Sequence, residues 1–515
     1  MNYLGINIGP VVKTLSLARK PRELWAASFL FSYLMKCIVE VAQEHGKIVA
    51  PAKIEEDTYL KVGLYPDRLY LKPNNPNDNN LGNTILLNAW ETFRRNVYSQ
   101  EYEDSQGQKL IRGNWLYEEY FNLMHTYCEA SSEVLAVQTI NQQLDLLELC
   151  VMASNTTKEF DPQGQIIKLL QRTKKSSLFF LASGEENFPV ETLAEIAAAE
   201  LKDSTSKDDW QRFVDIAKSE DDKTNPYSIF GNNPKSYHRY FCVVQADGDN
   251  MGKTFTNPHL KDGSISEISS ALVTFGKNAV TKISAFGGMP IYAGGDDLLF
   301  LAPVVGKDGS NIFDLLNSLD SDAFCVVKEA CVKALPPLKD DVLPSLSFGV
   351  SICFYKHPLY ESLESARNLL FNIAKNVSGK KAVAWKLQKH SGECFEASFS
   401  RKKTKLDDAI TKIINATNDG QTVTQAIHKS KHNWKLLMMC LLSGNQSRLD
   451  LFFKHILKET TQNKDYFNAL KELMTALFDA TNDKSNEKQM QAYADTLYSI
   501  LRTAKFIKGE DTKDE

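Results

Sequence analysis

Apolar positions come first as a short run, "NYLGINIG", which predicts a buried strand ending at a Gly-Pro turn. From Val11 to Ala42 they recur every three to four residues, which predicts two helices broken near Pro21. "KIVAPA" reads as a strand, and "VGLYPDRLYLKPNNPNDNN" as strand, turn, strand and a Pro/Asn-rich loop. From about Thr84 to Ala217 the pattern is mainly helical and rich in aromatics. Residues 218–236 are polar and full of turn formers, and mark a linker.

Beyond the linker the periodicity changes. "YFCVVQADGDNMGK" is a strand running into a turn, and "ISEISSALVTFGKNAVTKISAFG" is a helix. "GMPIYAGGDDLLFLAPV" is a hairpin, and "IFDLLNSLDSDAFCVVKEACVKAL" a helix. "PSLSFGVSICFY" is a strand, "PLYESLESARNLLFNIAKN" a helix and "GKKAVAWKLQKHSG" a last strand. The order βαββαβ is that of a ferredoxin-like unit. From about residue 401 the chain is all-helical and ends in a charged tail.

Bulk composition changes this picture little. The 515 residues carry 60 Lys and Arg against 64 Asp and Glu, a net charge of −4, so any polyanion must be met by a local patch or by partner subunits. The nine cysteines are scattered and never in C-x-x-C spacing. That pattern argues for a reducing cytoplasm and against a paired-cysteine zinc site. The uncharged run Leu24 to Met35 is too short to span a membrane and reads as a buried helix.

The chemistry gathers at two acidic turns. In a ferredoxin-like sheet the first strand neighbours the central hairpin, so "ADGDN" brings Asp247 and Asp249 beside the hairpin tip carrying Asp296 and Asp297. Carboxylates so close repel one another unless cations sit among them, and Mg²⁺ or Mn²⁺ resolves the conflict. Gly294 and Gly295 make a turn without side chains that a triphosphate can approach. Lys375, at the end of its helix, and Lys380 and Lys381 in "SGKKA" are candidates to neutralise phosphate charge.

These residues resemble a known family. "ADGDNMGK", "YAGGDDLLFL" and "LLFNIAKNVSGKKAVAW" are similar to the polymerase/cyclase palm of the large subunit of type III CRISPR effector complexes, a palm related to the GGDEF cyclases. "IGPVVKTLSLARKPRELWAASFLFSYL" and "GLYPDRLYL" resemble its Cmr (III-B) branch. The resemblance implies an α+β fold with two ferredoxin-like palms and helical domains. It divides the chain into a degenerate first palm at 1–85, completed by later segments, a mainly helical middle at 86–220, an active palm at 238–395 and a helical bundle at 401–515. It implies ATP as substrate, and oligoadenylate synthesis switched on by target RNA. Asp247, Asp296 and Asp297 map onto metal and catalytic positions and Lys375 onto a triphosphate-contact position; the two turns and the lysine run themselves add Asp249 as a further metal candidate and Gly248, Gly294, Gly295 and Lys380 as nucleotide-binding candidates. The implied partners are the other Cmr-type subunits, small helical and backbone, with guide and target RNA. No membrane is implied.

Two departures from the family pattern stand out. No histidine is followed by Asp and the palm-like pattern starts at residue 1, so a DNA-cutting HD nuclease domain is not expected; the family's four-cysteine zinc element is also missing. Adenylyl transfer to S-adenosylmethionine, a silent scaffold and a stand-alone GGDEF-type cyclase are the competing functions. The scaffold reading must explain why both acidic turns persist in the second palm, while the first palm's "NYLGINIGPV" has no carboxylate to match Asp247. Met35, Met438 and Met439, and the aromatics Trp90, Phe93, Trp115, Tyr117 and Tyr120, read as packing residues. Arg19, Lys20 and Arg22 form a basic cluster open to a guide-RNA phosphate. The C-terminal helices carry no clustered chemistry and read as a docking surface.

Overall fold

The computed structural model describes residues 2–54, 62–97, 102–103, 109–110, 120–151, 166–167, 170, 190–219, 224–335, 343–402, 404–416, 420–459, 463–481 and 486–509. Strands β1 (Asn2–Gly9), β2 (Gly46–Ala50), β3 (Arg68–Pro73) and β6 (Asn122–Glu129) form an antiparallel sheet in the order β2-β3-β1-β6, and β4 (Tyr102–Glu103) pairs with β5 (Lys109–Leu110). With helices Pro21–His45 and Leu81–Val97 as the crossovers, the sheet is a ferredoxin-like unit. Its last strand lies beyond residue 85, inside the stretch expected to be mainly helical. The buried side chains of "NLMHTYCE" are Met124 and Cys128, four apart, a spacing that imitates a helix rather than a half-buried strand.

Helix Pro21–His45 starts on a proline, and Glu23 accepts hydrogen bonds from the Arg19 and Lys20 N–H groups at 2.8 and 3.3 Å. By length and composition it could cross a membrane, but 83% of its apolar window is buried inside the protein, so it serves as the core helix of the first palm.

The second sheet contains β7 (Tyr240–Asp249), β8 (Met289–Gly294), β9 (Asp297–Pro303), β10 (Ser345–Phe354), β11 (Ala382–Gln388) and β12 (Cys394–Ser400), in the order β12-β11-β10-β7-β9-β8. The segment β10-β7-β9-β8 is again ferredoxin-like. β11 extends it parallel to β10, and β12 turns back antiparallel, carrying the sheet past the expected limit at 395. Helix Ser264–Phe286 packs on β8 so closely that a Cβ on Gly276 would lie 2.6 Å from the Ala293 carbonyl oxygen.

The palms meet edge to edge. Gly63 makes a parallel bridge with Tyr292, and the Ala293 N–H donates to the Gly63 carbonyl at 2.8 Å. Ser28 Oγ donates to the Ile291 carbonyl at 2.9 Å, and the Ala52 N–H donates to Ser269 Oγ at 2.8 Å.

Six helices, from Thr404–Asn415 to Glu487–Lys508, build the C-terminal region. The last lies on the second palm: Trp385, 1% exposed, donates from Nε1 to Thr503 Oγ1 at 3.1 Å, and Phe506 packs edge-on against Tyr240. Met35 and Met438 are buried as expected, as are Trp90, Phe93 and Tyr120. Met439 is not: it is 66% exposed beside exposed Leu436 and Leu442, because helix Trp434–Leu442 is apolar all round and only one face meets the bundle. Trp115 and Tyr117 lie outside the described residues.

Candidate active site at the hairpin tip

Pairing of β7 with β9 runs from Phe241↔Pro303 to Ala246↔Leu298, so the next residue of β7, Asp247, arrives beside Asp297. In the β8-β9 hairpin Gly294 opposes Asp297, leaving Gly295 and Asp296 as the turn. Gly295 has φ +65 with open space around its Cα, as expected of a turn residue in the left-handed region. Gly248 answers a different need. A Cβ there would stand 2.4 Å from Asp296 Oδ2, so only glycine lets that carboxylate lie against β7.

Three carboxylates therefore crowd together. Burial, and next the charge of Asp247, pushes Asp296 up to about 7. Asp297 is exposed at the start of β9, yet desolvation by the surrounding protein and the charges of Asp296 and Asp247 hold its carboxyl above the ordinary range. Asp249 is set apart. It is 0% exposed, with its oxygens accepting from Ser345 Oγ at 2.8 Å, Ser347 Oγ at 2.8 and 3.0 Å, and the Lys381 N–H at 2.8 Å. The expectation of Asp249 as a metal ligand meets a physical obstacle, because its lone pairs are already used inside the protein.

Lys375 fills the gap between the two turns. Its Nζ lies 2.5 Å from Asp247 Oδ2 and 3.1 Å from Asp249 Oδ1, and donates to the carbonyls of Asp247 and Gly248 at 2.9 and 2.8 Å. Burial opposes its charge, but the two aspartates more than offset that and hold its pKa above the ordinary value. It thus holds carboxylates in place rather than standing open to a phosphate. Lys380 is placed by its backbone. It belongs to a run of left-handed residues, Gly379, Lys380 and Lys381, whose shape is fixed by Ser400 Oγ donating to the Lys380 carbonyl at 2.6 Å and the Arg401 N–H donating to the Lys381 carbonyl at 2.8 Å.

Behind this loop sits a buried ion cluster. Asp320, 1% exposed, meets Lys328 at 3.2 Å, Lys381 at 3.3 Å and Arg401 at 3.9 Å, and accepts from the Leu346 N–H at 3.0 Å. Burial would raise its pKa, yet Arg401 and the lysines bring it below the ordinary range.

In front of the hairpin tip a cavity of about 260 Å³ opens between the palms. Gly294, Gly295, Asp296 and Asp297 line one wall, and Tyr65 and Asp67 of the first palm line the other. Sequence reasoning passed over Asp67. Its side chain is exposed at the cavity wall, and desolvation by the surrounding protein raises its carboxyl above the ordinary range against the pull of Arg68. It also adds to the field that lifts the Tyr292 hydroxyl, after burial itself. An acid immediately before β3, in "YPDRLYL", was its signal in the chain.

Among the described residues no three His, Cys, Asp or Glu side chains converge into a ready metal cage. The oxygen-only, mutually repelling pair Asp296 and Asp297 beside Asp247 nevertheless fits Mg²⁺ or Mn²⁺ carried in by a phosphate ligand, since magnesium is typically held by one or two carboxylates together with phosphates and water.

The fold and site thus define a tandem-palm protein whose second palm carries the turns with Asp247 and with Asp296 and Asp297. Residues 240–384 match the family described as Cas10/Cmr2, second palm domain, and residues 3–109 match the CRISPR-associated protein Cmr2, N-terminal. Over those two stretches the chain is Cmr2-like. The CRISPR system Cmr subunit Cmr2 of Pyrococcus furiosus is 33% identical over 193 residues, which is 33% of this chain and 20% of that protein, so the chain spans about a fifth of the curated relative it matches. Among solved structures, a type III-B Cmr-beta complex in its apo state has a chain similar to this one at TM-score 0.58 and 11% identity, covering 99% of this chain and 82% of that one. The same complex bound to cognate target RNA gives 0.55 at 11% identity, over 99% and 83%. A Csm1-Csm4 cassette in complex with AMPPNP gives 0.50 at 12% identity, over 98% and 69%. At such identities the likeness is one of fold.

Proposed function

We propose that this chain is the large subunit of a type III-B CRISPR effector complex, in the cytoplasm. It works with small helical and backbone Cmr-type subunits, guide RNA and target RNA, and joins ATP into an adenylate messenger of the cyclic oligoadenylate type once target RNA is bound. The observation that carries this reading is the pair Asp296 and Asp297 lining the inter-palm cavity, with the charge of Asp247 beside them. A hydroxyl of one nucleotide attacks the α-phosphorus of the next; the new O–P bond forms as the bond to pyrophosphate breaks. The three aspartates would hold Mg²⁺ or Mn²⁺, which when bound neutralises phosphate charge. Lys375 keeps Asp247 in position, the open turn at Gly295 leaves room for phosphates, and the first palm closes the far wall. Support also comes from the match of residues 240–384 to the Cas10/Cmr2 second palm domain and from a neighbour of the same fold solved with AMPPNP.

The test is mass spectrometry of products from the assembled complex with target RNA and Mg²⁺, given ATP alone and then ATP with S-adenosylmethionine. Oligoadenylates lost on replacing Asp296 and Asp297 by Ala support the reading. An adenylyl conjugate formed only with S-adenosylmethionine replaces it with that transfer. Absence of any metal-dependent product leaves a scaffold.

A further inference from the structure

Two helices wall the cavity between the palms, one from each. Helix Glu133–Val151 follows β6 in the first palm and contributes Val137 and Asn141. Helix Ser264–Phe286 of the second palm contributes Ile265, Ser269, Leu272 and Val273. The two helices start side by side, and each start is bonded to an acid from the other palm. The Glu133 N–H, the first of its helix, donates to Asp262 Oδ1 at 3.1 Å, while the Gly263 N–H donates to Glu133 Oε2 at 2.7 Å.

The first N–H groups of a helix have no partner within it, and the helix dipole favours a carboxylate beside them. Gly263 is the N-cap of its helix, with φ +92, and that helix has no side-chain cap of its own. An N-cap N–H can be taken by a Glu three residues on, but that position is Ser266 here. Glu133, 130 residues earlier, takes it instead. Glu133 is 3% exposed, and Lys47 of β2 lies 3.6 Å from its other oxygen, so its charge is compensated while it holds the link.

We infer that Glu133 and Asp262 form a clasp that sets the spacing of the cavity walls, and that they are positioning residues for the nucleotide held there. The nucleotide part of the inference rests on the proposed function; the clasp does not. The six side chains that the two helices bring to the cavity are apolar or neutral, so they serve binding rather than bond making. Loosening the clasp therefore raises KM and leaves kcat, the pattern of lost uniform binding.

The experiment compares Glu133→Ala and Asp262→Ala with Glu133→Gln and Asp262→Asn, which keep an acceptor oxygen. Hydrogen–deuterium exchange of the full chain without nucleotide reads the walls. In the Ala variants it rises about fivefold at both helix starts, the ratio that one helix cap is worth. It rises also at Ala52, whose N–H bonds Ser269 Oγ between the palms, a place that fraying of a helix end alone does not reach. Synthesis by the assembled complex with target RNA and Mg²⁺ reads the site: KM for ATP rises about fivefold in the Ala variants, kcat changes less than about twofold, and the Gln and Asn variants restore KM. Melting curves check folding, and Asp262→Ala, at an exposed position, decides alone if Glu133→Ala unfolds. Unchanged exchange at Ala52 overturns the inference, as does an unchanged KM, or a fall in kcat with KM unmoved. A wild-type complex that makes no product refutes the proposed function instead, and exchange at Ala52 then decides the clasp by itself.

Discussion

Lys375 and Asp249 form a pair in which neither is available to a ligand: Asp249 is wholly buried among serine hydroxyls, and the lysine ammonium 3.1 Å away is turned onto Asp247 and two backbone carbonyls. The pair fixes the end of β7 from behind. Asp249→Asn keeps the shape but removes the charge that anchors the lysine. We expect turnover to fall about tenfold while the KM for ATP changes less than threefold, measured on the assembled complex. Equal losses in stability and activity would make Asp249 structural only.

The crowded carboxylates give a pH signature. Asp296 has its folded pKa raised from 3.8 to about 7, so the folded state holds the proton more tightly than the unfolded state. Stability from this group is therefore present below the unfolded value and is lost as pH rises through about 7. Without divalent cation, the apparent Tm should fall between pH 5.5 and 8, and Asp296→Asn should reduce that fall. Mg²⁺ should raise Tm more at pH 8 than at pH 5.5, because the proton must leave before the cation binds. Differential scanning fluorimetry at the two pH values checks both.

Gly248→Ala tests the close approach at the site. The added methyl meets Asp296 Oδ2 at 2.4 Å, and Met251 Cγ at 2.8 Å, so the hairpin carboxylate must swing away. Synthesis should drop at least about 100-fold, on the scale of a misplaced catalytic group, with the chain still assembling into its complex. Near wild-type turnover would mean that Asp296 is not needed where it lies.

The buried cluster behind the loop makes the opposite prediction, for stability. Asp320→Asn leaves Arg401, 4% exposed, without its compensating charge. Breaking such a pair costs about 3–5 kcal/mol, so a large fall in denaturant midpoint is expected even where the carboxylates at the hairpin tip are untouched.

How much of this was legible in the chain depends on how local the signal was. Asp247, Asp296 and Asp297 could be brought together from strand order alone, because a ferredoxin-like sheet makes β7 and the hairpin neighbours. Lys375 was found by position, but its role was not readable: whether a lysine faces a phosphate or a carboxylate depends on a few ångströms at a helix end. Asp67 and the wall it lines were missed because they come from 230 residues earlier and meet Asp297 only through packing of the two palms. The bundle was read as a docking surface for others. One of its helices is also laid on the palm's own sheet, held by Trp385 and Thr503, residues with no sequence pattern to link them.

The bridge between Gly63 and Tyr292 also bears on how the protein stays single. β8 is the outermost strand of the six-stranded sheet, and an uncovered outer strand is a template for pairing with another chain. Here the first palm supplies the cover, with the Ala293 N–H already bonded to Gly63 and the Ile291 carbonyl to Ser28. The second palm produced without the first would carry a naked apolar edge and self-associate, so the first palm acts as an internal guard against aggregation of the palm that carries Asp296 and Asp297.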